Sequence, residues 1–225
     1  YNPAAGEGSD DSVTGTQWSW TLGLQQYNWL KQTLENSSAS YKFVFSHNML
    51  GGIPRPIVGV GAGYVRGGAE AAKYFEWGGY DADGTTWAFD AQRPGWGGVP
   101  IHQLMLANGV SAYFHGHDHQ YVYETRDGIV YQEVPSPSMA GSGFDGIYTE
   151  GTYAEYSTIR RLASPGHLRV SITPAQATVD YISSNSTAGT VTYSYTILPN
   201  TPVVTYDLTM AVNPAGAGTT TPPVG

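Results

Sequence analysis

Three of the six histidines in this chain lie within five residues of one another. His115, His117 and His119 alternate with Gly116 and Asp118 in the stretch FHGHDH. Residues two apart on a strand share a face, so the three imidazoles could converge on one metal ion. Alternatively, the glycine permits a sharp turn that directs His117 and His119 to different ions. The spacing therefore indicates a metal site, whereas any one of these histidines taken alone fits a hydrogen-bonded core residue.

A further histidine, His47, ends the apolar stretch YKFVFSH, whose aromatic and β-branched residues predict a buried strand over residues 41–47. An imidazole at the end of such a strand has no role in a core, which favours a ligand. The preceding residues 22–36 place apolar side chains at helical spacing and predict an amphipathic helix. Helix, loop and apolar strand form an α/β unit, and ligands bind at the carboxyl ends of such strands.

The rest of the chain is predicted to be rich in strands and loops. Residues 48–98 are rich in glycine and tryptophan, with one short helix predicted at 68–77. A connecting segment of this length inside a compact domain more often has a function than not. Its tryptophans could form a wall for a substrate or pin the glycine-rich loop. Further predicted elements are a helix at 99–109, a strand from 110 that breaks at Gly116, a hairpin about Asp127-Gly128, a polar loop at 135–165 and a three-stranded meander within 167–197.

Composition excludes several classes of function. The net charge is −8 and no basic run occurs, which argues against a nucleic-acid partner. The absence of cysteine excludes thiolate metal sites, redox motifs and disulfides. No stretch is apolar enough to span a membrane. A chain that is 12% charged and rich in Thr, Ser, Tyr and Gly is typical of secreted or cell-surface bacterial proteins.

Two segments resemble a known family. LGLQQYNWLKQTLENSSASYKFVFSHNML and GVSAYFHGHDHQYVYE are similar to the carboxyl-terminal half of calcineurin-like metallophosphoesterases, the superfamily that includes purple acid phosphatases. The shared features are a Gln-x-x-Trp-Leu helix (Gln26 to Leu30), a strand ending in His47, and a Gly-His-x-His motif at 116–119. The resemblance extends over about residues 20–198 and is most specific at 26–49 and 110–124.

The resemblance implies an α+β fold, part of a four-layer α/β/β/α sandwich with a β-rich carboxyl-terminal meander. It also implies two divalent or trivalent transition-metal ions, Zn, Fe or Mn, with His47 and His117 on one ion and His119 on the other. Two such ions clamp a phosphoryl group while a metal-bound hydroxide attacks. The implied activity is hydrolysis of phosphate mono- or diesters, with a phosphoester as substrate.

The family's other motifs precede these segments, and residues 1–46 do not contain them. They supply the bridging carboxylate and the histidine that contacts the leaving group, so no catalytic residue is identified in this chain. We therefore expect the parent protein to be the enzyme and this chain alone to be inactive. The partner would be the missing amino-terminal half of the domain, supplied by a separate chain, by a cleaved partner or by a disordered segment that is not in this sequence.

Three further residues are candidates for a supporting or substrate-binding role. His115 is expected behind the ligands or in the core, Arg66 could bind a phosphate group through two hydrogen bonds, and His102 lies on the helix at 99–109. A solvated arginine and a structural histidine are the alternatives for the last two. Asp118 falls at the variable position of the motif and receives no ligand role.

The predicted organisation is a phosphoesterase half-domain over 1–198, followed at 199–225 by a linker and the start of an extracellular β repeat module. Two other functions stay open. One is a non-catalytic metal-binding module that uses His115, His117 and His119, and the other is a β-rich structural surface protein. Replacement of His47 separates the enzyme from the module, because a triad within one strand would keep its metal.

Overall fold

The computed structural model describes residues 17–47, 52, 68–116, 119–138, 158–162, 165–184 and 189–200. The helices in these residues are α1 (Leu24–Glu35), α2 (Phe75–Gly78), α3 (Phe89–Gln92) and α4 (Ile101–Ala107), with short 3-10 turns at Gln17–Ser19 and Ala71–Lys73. The strands are β1 (Phe43–Phe45), β2 (Ala112–His115), β3 (Tyr121–Arg126), β4 (Ile129–Glu133), β5 (Thr158–Leu162), β6 (Gly166–Ile172), β7 (Ala177–Ser183) and β8 (Val191–Ile197).

The strands form two sheets. The first has the order β1-β2-β4-β3-β5, in which β1, β2 and β4 run parallel and β3 and β5 pair antiparallel. The second is an antiparallel meander, β6-β7-β8, as the sequence predicts. The predicted hairpin joins β3 to β4 through Asp127 and Gly128, which both have positive φ (50° and 84°). This backbone conformation matches the twist of the flanking strands and explains the Asp-Gly pair.

Each face of the five-stranded sheet packs against a different layer. Tyr113 and Tyr131 point to one face and share a buried cluster with α1 and α4. Phe114 and Val130 point to the opposite face and pack against Val179 of the second sheet. The described residues therefore form helices, sheet and sheet in that order, a mixed arrangement compatible with the predicted α+β class. The fourth layer of the expected sandwich stays a prediction.

Residues 68–98 belong to the helical layer and its core. Trp77 and Trp96 are buried there, and the predicted helix at 68–77 is a 3-10 turn followed by α2. Gly68 has a φ of +79°, and a Cβ at this position would lie 2.5 Å from Glu70 Oε2. The buried Glu124 of β3 accepts a hydrogen bond from the Ala69 amide at 2.8 Å, which ties the segment to the sheet. The burial of Trp77 and Trp96 favours a packing role for these two side chains, whereas Trp87 is exposed.

Local patterns predicted several elements correctly and one segment incorrectly. The helix at 22–36, the strand at 41–47 and the helix at 99–109 are observed as α1, β1 and α4. The burial predicted for the strand is wrong, because β1 is only partly buried and Phe45 is exposed. The polar loop expected at 135–165 is wrong at its carboxyl end, where Thr158–Leu162 form β5 and pair with β3. Within the described ranges, no helix is both long and apolar enough to cross a membrane.

Candidate metal centre

The carboxyl ends of β1 and β2 lie side by side. Phe45 and Phe114 are register partners in the parallel pair, and the Ser46 amide donates to the Phe114 carbonyl at 3.1 Å. One step further, the Gly116 amide donates to the His47 carbonyl oxygen at 2.7 Å. The strand-ending histidine and the start of the Gly-His-x-His turn are thus neighbours, as the α/β reading of the sequence predicts. The His47 side chain is exposed and accessible to a ligand.

His119, the last residue of the Gly-His-x-His motif, lies just before β3 in an uncommon conformation. Its φ is +58°, in the left-handed region, which few residues other than glycine adopt. Such backbone strain costs about 1–3 kcal/mol and occurs most often at functional sites. Three of the predicted site residues and neighbours, Arg66, His117 and Asp118, lie outside the described residues. The His119 residue is partly buried.

The histidines supply the kind of donor that Zn, Fe and Mn accept, because neutral imidazole binds all three. The described residues contain no group of three or more His, Asp or Glu side chains arranged to hold a metal ion. His47 and His119 are donors of this kind among the described residues, and their role as ligands stays a prediction. His117 and the expected bridging carboxylate are not among the residues whose placement is described.

His115 lies behind this edge, in the interior. It is the last residue of β2, it is 2% exposed, and its Nδ1 is 2.6 Å from Oε2 of Glu133, the last residue of β4. The two are register partners in the parallel β2–β4 pair. The imidazole stacks on Tyr113 with ring centroids 5.3 Å apart and an interplanar angle of 15°. Its environment is a buried ion pair under the predicted ligands.

A second buried polar contact lies beside this pair. The Tyr113 hydroxyl is hydrogen-bonded to the Ser46 hydroxyl, one residue before His47. Burial raises the pKa of Tyr113 far above its ordinary value, so the phenol stays neutral and serves as a hydrogen-bonding group. Ser46, His115 and Glu133 thus form a polar row across the carboxyl ends of three parallel strands.

Sequence reasoning missed Glu133. The only signal is its position at the end of β4, in which every residue is buried, so that a carboxylate there needs a partner. The sequence does not reveal that partner, because His115 reaches it only through the pairing of β2 with β4. Three other described carboxylates are buried away from this row, Glu70 and Glu76 in the helical layer and Glu124 on β3.

His102 lies at the other end of the sheet, near the β3–β4 hairpin. Its Nδ1 is 2.6 Å from the Tyr131 hydroxyl and its Nε2 is 2.8 Å from Asp127 Oδ2. Burial lowers the pKa of His102, and the hydrogen bond from His102 lowers the pKa of Asp127. A neutral imidazole that donates from Nε2 and accepts at Nδ1 satisfies all three groups. The structure does not bring His102 to the edge that carries His47.

This buried imidazole predicts a loss of stability in acid. A lowered pKa in the folded state means that the unfolded chain binds the proton first, so stability is lost as pH falls below about 6.5. Asp127 acts in the same direction at lower pH. In urea titrations at pH 7.5 and 5.5, the wild type should lose more unfolding free energy than a His102→Gln variant. A His167→Gln variant, altered at an exposed histidine of β6, should lose as much unfolding free energy as the wild type. Equal losses in the wild type and both variants would contradict the prediction.

Comparisons with known proteins bear on the fold. The structure is similar to purple acid phosphatase PPD1 from seeds of yellow lupin (Lupinus luteus), with a TM-score of 0.50 and 15% identity over 80% of this chain. It is also similar to GAP50, the anchor in the inner membrane complex of Plasmodium, with a TM-score of 0.44 and 18% identity over 79% of this chain. No family model and no curated protein sequence matches the chain.

The chain spans only part of each of these structures, 29% of the lupin protein and 43% of GAP50. At such low identity the likeness to the lupin enzyme concerns the fold alone. The described arrangement of mixed sheet, antiparallel meander and helices is compatible with the predicted α+β class.

Proposed function

We propose that this chain belongs to a metal-dependent phosphoesterase that hydrolyses phosphate mono- or diesters at a dinuclear centre. The observation that carries the proposal is the contact between His47 and Gly116 at the carboxyl ends of two parallel strands. It places the strand-ending histidine next to the Gly-His-x-His turn, in a fold like that of a purple acid phosphatase. In this proposal His47, His117 and His119 are metal ligands.

The bound metals, Zn, Fe or Mn, would polarise the phosphoryl group and provide a nucleophilic hydroxide near neutral pH. The residues of this chain would contribute neutral imidazole donors at an open edge of the sheet. His47 is exposed, and the Gly116 amide bonds to its backbone carbonyl, so a ligand on the ring would not disturb this strand contact. The net charge of −8 does not oppose an anionic substrate at such a centre, because the metal ions supply the positive charge locally.

We further propose that polypeptide outside this chain completes the site. In the described part of the sheet, β1 is an edge strand, and unpaired edges are normally covered. Phe45 on β1 is 69% exposed although it stacks on Phe114 at 5.1 Å. Trp29 on α1, which directly precedes β1, is 62% exposed. An additional strand with a covering layer would bury both aromatics and could bring the bridging carboxylate.

A non-catalytic triad of His115, His117 and His119 has less support. The His115 ring is buried and its Nδ1 is engaged by Glu133 beneath the edge, whereas the His47 ring is exposed at it. Secretion or surface attachment in a bacterium, and the repeat module at 199–225, belong to the same proposal and rest on composition and sequence pattern.

The test compares this chain with the longest polypeptide that its reading frame encodes. The longer polypeptide should contain about two transition-metal ions and hydrolyse p-nitrophenyl phosphate or bis(p-nitrophenyl) phosphate. A chelator should remove the activity, and Zn²⁺, Mn²⁺ or iron should restore it. This chain alone should bind fewer ions and show no turnover. A longer polypeptide that contains no transition metal and shows no hydrolysis would overturn the proposal.

A further inference from the structure

The ion pair between His115 and Glu133 has a cost that the fold alone does not explain. The two side chains are 1% and 0% exposed, and their Nδ1 and Oε2 atoms are 2.6 Å apart. Burying polar groups away from water is costly, and apolar residues of similar volume are often equally stabilising or more so. What the pair adds to packing is a close polar contact between the last residue of β2 and the last residue of β4.

The pair joins the ends of β2 and β4 at the residue from which the Gly-His-x-His turn departs. The Val134 amide donates to the His115 carbonyl at 2.6 Å, and on the other side the Gly116 amide donates to the His47 carbonyl at 2.7 Å. The start of the turn is therefore held between β1 and β4. The backbone bonds hold the peptide group between His115 and Gly116 from both sides, and the contact between His115 and Glu133 adds a side-chain link between β2 and β4.

Tyr113 extends this support to the opposite side. Its ring lies flat against the His115 imidazole, and its hydroxyl bonds to Ser46 beside His47. A displacement of His115 would therefore be transmitted to the backbone that carries His47 as well as to the turn.

We propose that His115 and Glu133 are positioning residues that fix Gly116, the first residue of the Gly-His-x-His motif, relative to His47 and so raise the metal affinity of the site. The statement about affinity rests on the proposed function, whereas the statement about the turn does not. Partners that orient metal ligands without touching the metal typically contribute about 10- to 100-fold in affinity. Glu133 acts through His115, and His115 acts through the backbone that leads into the turn.

The deciding variant replaces both members, His115→Leu with Glu133→Met. It leaves no unpaired buried charge, so it should fold with a stability near that of the wild type. Hydrogen exchange of the Gly116 amide, measured without metal, should lose protection because the turn is no longer fixed. The affinity for Zn²⁺ or Mn²⁺, measured by calorimetry on the longer polypeptide, should fall by about 10- to 100-fold.

Single variants separate the polar contact from packing. His115→Asn keeps a polar group near the position of Nδ1 and should retain much of the Gly116 protection and metal affinity, whereas His115→Leu should lose both. Glu35→Gln, at an exposed glutamate of α1, is the control and should change neither measurement.

The two proposals fail in different ways. Unchanged Gly116 protection in a folded double variant would overturn the positioning role, whatever the metal affinity. A wild-type protein that binds no metal would overturn the proposed function, and faster exchange in the double variant would then still establish that the pair fixes the turn.

Discussion

Replacing His47 with Ala is expected to lower transition-metal affinity and phosphoester hydrolysis by at least about 100-fold. Loss of a partner that only orients a ligand already costs about 10- to 100-fold, so loss of a ligand should cost at least as much. The measurements are the metal content of the purified longer polypeptide by elemental analysis and its rate of p-nitrophenyl phosphate hydrolysis at saturating metal.

His47 is informative because its side chain lies at the surface of the described fold. The ring is exposed, and the contact that joins β1 to the turn uses the His47 carbonyl oxygen, which alanine retains. The variant should therefore unfold at the same urea concentration as the wild type. A loss of metal can then be assigned to the missing imidazole.

His167→Ala is the matched control, since His167 is also exposed but lies on β6 of the meander. It should keep both metal and activity. If His47→Ala retains full metal content, the metal ligands lie within residues 115–119. A non-catalytic metal-binding module then becomes the better interpretation. If it retains the metal and the activity together, the role assigned to His47 is wrong.

The parts of the fold that depend on neighbouring residues could be predicted from sequence. Leu30 and Leu34 of α1 are buried on one helical face, as their spacing predicts. The Asp127-Gly128 pair specifies its hairpin because both residues adopt positive φ. The approach of His47 to the histidine-rich turn also followed, because parallel strands joined by α/β connections end at one edge of a sheet.

The missed strand β5 shows where local patterns fail. Its sequence TIRRL has two arginines and a half-exposed Ile159, since it is an outer strand in the described sheet. Outer strands are often charged, which discourages pairing with other chains and also removes the apolar alternation on which prediction depends. The buried tryptophans of 68–98 were hidden in a similar way, because glycines and short helices interrupt their spacing.

The supporting part of the candidate site depends on tertiary pairing. Glu133 meets His115 only because β4 lies next to β2, while β3, which precedes β4 along the chain, lies on its other side. Nothing local distinguishes this order from others. Sequence could therefore propose His47 and His119 as ligands, whereas the structure was needed to find what holds the backbone between them.

Replacing Glu76 with Ala is expected to destabilise the protein by about 3–5 kcal/mol, the usual effect of removing one partner of a buried ion pair. Glu76 is fully buried, and its Oε1 is 2.5 Å from Nε of Arg93, which is 11% exposed. Without the carboxylate, the arginine keeps a buried charge with no counterion at this position. For a domain of this size each kcal/mol lowers Tm by about 2–4 °C, so thermal unfolding followed by circular dichroism should show a clear decrease.

Glu76 also joins three parts of the helical layer, which adds to the expected loss. It accepts hydrogen bonds from the Thr21 hydroxyl and, at 3.0 Å, from the Leu22 amide just before α1. Arg93 in turn donates to the Trp18 carbonyl at 2.6 Å and lies over the Trp18 ring at 5.4 Å. Alanine would leave the Leu22 amide without this acceptor and loosen the entry to α1.

Two further variants test the stated cause. Glu35→Ala removes an exposed glutamate whose oxygen is 3.9 Å from Lys31 Nζ, and it should cost no more than about 0.5 kcal/mol. Glu76→Ala combined with Arg93→Met leaves no unpaired charge and should be more stable than Glu76→Ala alone. If the double variant is the less stable one, the loss comes from packing of Arg93 on the tryptophans. An unchanged Tm in Glu76→Ala would show that this ion pair does not hold the helical layer together.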